Sequence, residues 1–348
     1  MTTEWRFITA FADHLARCAL QPGELVAVLS ESQSRPVLVE TARLAAQSLG
    51  GRVFDVVVPT PPSTHAVPIR STGASQAVAG HRAVIAALAA CDLIIDCTVE
   101  GLLHSPDLGR IQADGARVLM ISNEHPEVFE RLQWDADLPR RVQLGHEWIR
   151  SAGTMRVASA AGTDLVVQLA GAATGSSNGL TNGPGSFAHW PGGLVAAFPA
   201  AHCVNGTVVL APGDMNLTFN DLIQTPVVLT IVDDHIERID GDGADAALFR
   251  SYLGAFGDRE SYATSHVGWG MNQHARWDSA QLYDKRETWG TEARVYAGNF
   301  VYSTGANELA GRFTAGHFDL PMRNCTITLD DRVVVSEGVL AAELQPLA

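Results

Sequence analysis

The sequence predicts an α/β, doubly wound parallel-sheet domain over residues 1–150, followed by a β-rich α+β domain over residues 151–348. Three observations predict it. Short continuous apolar runs alternate with helical patterns in the first part, which implies a parallel sheet covered on both faces. The second part changes grammar, to Gly, Asn, Thr and Pro followed by paired strand patterns. The phosphate-binding fingerprint of a dinucleotide fold is missing: the loop after the first strand reads Ser30-Glu31-Ser32-Gln33-Ser34, and Glu31 would repel a pyrophosphate.

The elements follow in order. Phe7, Ile8, Phe11, Leu15 and Cys18 recur at helical spacing among Glu4, Arg6, Asp13, His14 and Arg17, so the opening segment reads as an amphipathic core helix rather than a signal sequence. GELVAVLS from Gly23 is a strand, Arg35 to Gly50 a helix, and RVFDVVVP a second strand rich in β-branched residues. Ser75 to Ala90 reads as a helix, then LIIDCT and RVLMISN as strands. His104-Ser105-Pro106 follows LIIDCT, at the end of the sheet where such folds receive ligands. Gly171 to Gly193 reads as a surface loop and candidate lid. VNGTVVLAP, VVLTIV and HIERID are strands, with Asp233-Asp234 at a hairpin turn. A helix is expected from Asp245, as N-cap, to Phe256, and strands near Glu292 to Tyr302 and Cys325 to Val335. Asp240-Gly241-Asp242-Gly243 lacks the closing glutamate of a calcium loop and reads as a turn into that helix.

Composition removes whole function classes. Twenty-four Lys and Arg against 38 Asp and Glu give a net charge of −14, the wrong sign for phosphate backbones or anionic membranes. No apolar run is long enough to span a bilayer. Five scattered cysteines without C-x-x-C fit reduced thiols of a cytoplasmic protein. Only 18% of residues are charged, which predicts surface buried between the subunits of a homo-oligomer.

Among twelve histidines, those of the second part carry the chemistry. His317-Phe318-Asp319 puts an imidazole and a carboxylate on one face of a strand, able to hold one metal ion together. His266, in SHVGWGMN, is a better third ligand than His274, whose surroundings are polar; Gly268 and Gly270 beside it permit close backbone approach. Trp190, Trp269, Trp277 and Trp289 are candidates for the walls of an apolar pocket. Glu124-His125 and His146-Glu147 read as helix-surface pairs.

Four segments, PGGLVAAFPAAHCVNGTVVL, SHVGWGMNQ, ETWGTEARVYAGN and GHFDLPM, resemble in order the motifs of the aminopeptidase T-like metallopeptidases. That family holds two metals with two glutamates, a histidine and the H-x-D pair. Here the first glutamate position is Leu194, the second is His266, and the histidine of the third segment has no counterpart in Thr291-Glu292-Ala293-Arg294. The set that survives is His266, His317 and Asp319, two imidazoles and a carboxylate, as in mononuclear Fe(II) oxygenases. In this it resembles the 2,5-dihydroxypyridine 5,6-dioxygenases, a group on the same scaffold.

The resemblance implies an Fe(2+) cofactor, an N-heterocyclic aromatic substrate and O2, with ring opening to N-formylmaleamate and no redox cosubstrate. Such a substrate has no adjacent hydroxyl pair to chelate iron, so protein hydrogen bonds must orient it. The candidates are His189 in FAHWPGG, which is favoured, His104 and Ser303. Two other readings stay open: a two-metal hydrolase that recruits Glu292, and a small-molecule binding protein on a retired peptidase scaffold.

Overall fold

The computed structural model describes residues 2–67, 76–181 and 183–347. The apolar runs of the first part form β1 (Leu25–Glu31), β2 (Arg52–Val58), β3 (Leu93–Asp96) and β4 (Arg117–Met120), all parallel. The order is β2-β1-β3-β4, extended by β8 (Phe187–His189) from much later in the chain. Alternate side chains go to opposite faces. Val26 and Val28 pack with α1 (Trp5–Arg17), α2 (Pro36–Ser48) and α5 (Glu127–Arg131) through Phe11, Leu38 and Phe129. Ala27 and Leu29 pack with α3 (Arg82–Ala89) and α4 (Leu108–Gln112) through Leu88 and Ile111. The sheet is therefore covered on both faces, as the unbroken apolar runs require. The helix expected from Ser75 is realised over Arg82–Ala89; Ser75 itself lies outside the described residues.

The second part is antiparallel. An eight-stranded sheet runs β14 (His235–Asp240), β13 (Val227–Val232), β10 (Val204–Leu210), β6 (Asp164–Gln168), β5 (Thr154–Ser159), β18 (Cys325–Leu329), β19 (Arg332–Ser336) and β20 (Val339–Leu340). A five-stranded sheet runs β17 (Arg312–Met322), β16 (Phe300–Asn307), β15 (Thr264–Gly270), β9 (Leu194–Phe198) and β7 (Ala173–Ser177). One core joins Val157, Leu165 and Leu229 of the first to Trp269, Tyr302 and Phe318 of the second, with α6 (Leu138–Ser151) and α7 (Ala244–Ala255) packed on it. A small ribbon, β11 (Met215–Asn216) with β12 (Asp221–Leu222), lies beside β17. Asp233 and Asp234 take the left-handed conformation at the β13–β14 turn, as expected of a hairpin. Among the described residues the cysteines are unpaired, and no helix is long and apolar enough to cross a membrane.

Three expectations are corrected. Gly171 to Gly193 is not one loop: it contains β7 and β8 and bridges two sheets. Its glycines serve close approach, since a Cβ on Gly192 would lie 2.1 Å from the Asn178 carbonyl carbon. The helix expected to be capped by Asp245 starts at Ala244, its N-cap Gly243 two residues earlier. The Asp245 carboxylate instead accepts from Gln224 N, Thr225 N and Thr225 Oγ1. The expected strand from Glu292 starts only at Phe300, because Gly290, at φ 76°, turns the chain into α8 (Thr291–Val295).

Candidate metal centre

The C-terminal ends of β3, β4 and β8 abut the face of the five-stranded sheet, and a cavity of about 280 Å³ opens between them. His104 enters from the loop after β3, Met120 from the end of β4 and His189 from the end of β8. The opposite wall is sheet: His266 on β15, His317 and Asp319 on β17, and Leu194, Ala196 and Phe198 on β9. Most of the lining is apolar, so water is a poor competitor for a ring seated there.

The H-x-D pair behaves as the period of a strand demands: His317 and Asp319 share the inward face, with His317 Nε2 3.2 Å from Asp319 Oδ1. β16 lies beside them in register, Ser303 opposite Asp319 and Gly305 opposite His317. Gly305 has to be glycine: its φ is +105°, and a Cβ would sit 1.9 Å from the Gly316 carbonyl oxygen. His266 reaches the same point, with Nε2 3.6 Å from Asp319 Oδ1. The three residues singled out in the sequence are thus brought together, all at least nine-tenths buried.

His104 joins them. Its ring lies 4.9 Å from that of His317 and 6.3 Å from that of His266, and one donor atom from each of these three histidines falls within 4.8 Å of the others. His104 Nδ1 approaches Glu308 at 3.9 Å, while its buried Nε2 has no hydrogen-bond partner. His266 and His317 therefore have two potential companions. Asp319 is the candidate besides His104, which completes the three-histidine group. Donors about 2.1 Å from one ion and at right angles lie about 3 Å apart, close to the two Asp319 separations, and a carboxylate adds the negative charge a divalent cation favours.

The electrostatics suit that assignment. Burial pushes the His266 imidazole down to about 3, leaving it neutral and able to ligate. Burial also works against the Asp319 charge. Arg294 and His317 outweigh it and hold the carboxyl well below its usual range. Arg294 Nε donates to Asp319 Oδ2 at 2.5 Å while its guanidinium stacks on Trp289, 3.8 Å from the ring centroid. Ser303 Oγ donates to Asp319 Oδ1 and contacts His266 Nε2 at 3.0 Å, so its hydroxyl is committed to the donor set. A neutral His266 imidazole, the unpartnered His317 Nδ1 and an oriented carboxylate together fit a divalent metal.

His189 borders the same cavity and is also neutral, held down to about 3 by burial and then by Arg294. Its Nε2 meets Thr291 Oγ1 at 3.1 Å. Of the four tryptophans only Trp289 lines the cavity; Trp190 stacks on Phe129, Trp269 is buried in the large core and Trp277 lies beneath Arg323. Glu292 faces away, bound to Arg131 and to the Arg276 backbone N–H. Leu194 is on the cavity wall. His274 stays outside the cluster. His146 does not form a surface pair with Glu147; its Nε2 bonds Thr174 Oγ1. Glu124 is likewise not a surface residue: it is 1% exposed and accepts three hydrogen bonds from residues 288–291. Arg294, Thr291 and Glu124 were missed in the sequence because their roles arise only when β4, β8 and α8 converge.

The family model described as NicX: 2,5-dihydroxypyridine 5,6-dioxygenase matches residues 6–342. The curated 2,5-dihydroxypyridine 5,6-dioxygenase of Pseudomonas putida KT2440 is 34% identical over 340 residues, which is 96% of this chain and 96% of that one. A solved structure of 2,5-dihydroxypyridine dioxygenase from P. putida KT2440 superimposes with a TM-score of 0.91 at 33% identity, over 97% of this chain and 98% of the other. Wild-type AmpT from Thermus thermophilus superimposes at 0.61 with 13% identity, over 97% and 99%, a likeness of fold alone. By the family match and by identity over nearly its whole length, the chain belongs to the 2,5-dihydroxypyridine 5,6-dioxygenase family.

Proposed function

We propose that this chain is a mononuclear, Fe(II)-dependent dioxygenase that opens 2,5-dihydroxypyridine with O2 to N-formylmaleamate. The observation that carries it is the meeting of His266, His317 and Asp319 in one apolar cavity, within a family whose named member acts on this ring. His266, His317 and Asp319 would hold Fe(II), and the metal would supply redox contact between the ring and O2. The ring is itself the reductant, so no dinucleotide is required, in keeping with a first domain that lacks the fingerprint.

The remaining work falls to the protein. Arg294 and Ser303 fix both oxygens of Asp319, so the carboxylate need not reorganise when a cation arrives. Phe187, Phe198 and Leu194 seat a flat ring and exclude water. Ser303 is occupied by the donor set, so orientation of the substrate rests on His104 and His189, which approach from the opposite domain. Both are held below the ordinary imidazole range by burial and are neutral at pH 7. A neutral His189 takes the proton of a ring hydroxyl and His104 holds the second polar edge of the substrate.

A two-metal hydrolase would need a further carboxylate among the histidines. Glu292 is engaged by Arg131, and Leu194 occupies the other position. The reaction itself distinguishes the readings. Under ¹⁸O2, loss of 2,5-dihydroxypyridine is expected to match oxygen uptake one to one, with both labelled atoms in the product. Label from water instead of O2 would mark a hydrolase and defeat the proposal.

A further inference from the structure

The structure assigns Glu124 and Thr291 as positioning residues that select which nitrogen of His189 meets the cavity: Thr291 accepts the Nε2 proton and leaves Nδ1 as the basic atom. The inference rests on the proposed role of His189 in proton transfer, and it names the atom and the residues that enforce it.

The His189 main chain is fixed first. Its N–H donates to Ser177 Oγ at 3.0 Å, the Ser177 hydroxyl donates back to the His189 carbonyl at 3.0 Å, and β8 pairs with β4 at Met120. The ring is then bounded by the edge of Trp289, 5.8 Å between centroids. One ring nitrogen, Nε2, contacts Thr291 Oγ1 at 3.1 Å. A hydroxyl there could donate or accept. The Thr291 hydroxyl has its own acceptor in the Trp190 carbonyl at 3.5 Å, so its lone pair is what it offers His189. The proton then belongs on Nε2, the nitrogen that meets Thr291, and Nδ1 carries the lone pair.

Thr291 holds that place because Glu124 holds Thr291. The Glu124 carboxylate accepts Thr288 Oγ1 at 2.8 Å and Trp289 N at 3.3 Å on one oxygen, and Thr291 N at 3.1 Å on the other. Gly290 N closes the turn on Thr288 Oγ1 at 3.0 Å. A single buried carboxylate just beyond β4 thereby pins the segment that carries both Trp289 and Thr291, and aligns the two domains across the cavity. Charge-assisted bonds of this kind are strong enough to register one segment against another.

The test uses histidine-¹⁵N-labelled protein in its metal-free form, together with steady-state kinetics of the iron-loaded enzyme. The His189 signal, identified by its loss in His189→Gln, is expected to show a protonated Nε2 and a bare Nδ1. Thr291→Val should shift it toward the other tautomer. The same change should lower kcat by on the order of 10- to 100-fold while KM moves less than about threefold and iron content holds. Thr291→Ser, which keeps the hydroxyl, should recover the tautomer and most of the rate. Glu124→Gln should give a smaller kcat loss of the same kind. A protonated Nδ1 in the unsubstituted protein, or a Thr291→Val enzyme with unchanged tautomer and rate, overturns the assignment. If the tautomer responds as expected but 2,5-dihydroxypyridine is not consumed, the positioning stands and the substrate reading fails.

Discussion

His266→Ala, His317→Ala and Asp319→Ala are each expected to leave the purified protein without stoichiometric iron and to abolish ring opening. The loss should be large because these groups are not interchangeable with solvent. The site is buried and apolar, so a missing ligand leaves a divalent cation short of a partner where water is scarce. Metal assistance contributes several kcal/mol to a barrier, which is on the order of 10³-fold or more in rate. Asp319→Ala should be the most severe. It also deprives the half-buried Arg294, whose Nε now meets the carboxylate at 2.5 Å, of its anionic partner beside two imidazoles. Iron analysis by inductively coupled plasma spectrometry, with circular dichroism to verify folding, measures the effect. Asp319→Ala that retained one iron per chain would remove the carboxylate from the ligand set.

The second expectation separates ligation from proton transfer. His189→Ala and His104→Ala should each keep iron and lose kcat by on the order of 10²- to 10⁴-fold. His104 is the decisive residue, because its ring lies within reach of the same point as His266 and His317. If His104→Ala sheds its iron while Asp319→Ala keeps it, the centre is held by three imidazoles. If His104→Ala keeps its metal and loses rate, the imidazole serves the substrate, in line with its open Nε2 and its Glu308 partner.

How far the sequence discloses this site depends on the range of the interactions. The H-x-D pair is legible because a strand places every second residue on one face, and β17 does so for His317 and Asp319. The parallel sheet is legible from its unbroken apolar strands. His266 becomes legible through the resemblance, as the residue standing where a related scaffold has a glutamate. What stays hidden is tertiary. Glu308 meets His104 from the far end of the chain, and Glu124 reaches Thr291 across 167 positions, contacts with no local pattern. Composition also misleads where glycine is used for packing rather than freedom. The Gly171 to Gly193 stretch reads as loop, yet Gly179 and Gly192 bring two backbones together so that β7 and β8 can join different sheets. Gly290 misleads in the other direction, turning an apparent strand into the helix that carries Arg294 into the cavity wall.

Anaerobic titration of the metal-free protein with Fe(II), followed by oxygen uptake with 2,5-dihydroxypyridine, tests for one catalytic iron among His266, His317 and Asp319. Uptake should rise in proportion to added iron and level off at one equivalent per chain. A plateau at two equivalents, or no uptake at full iron loading and saturating substrate, would contradict it.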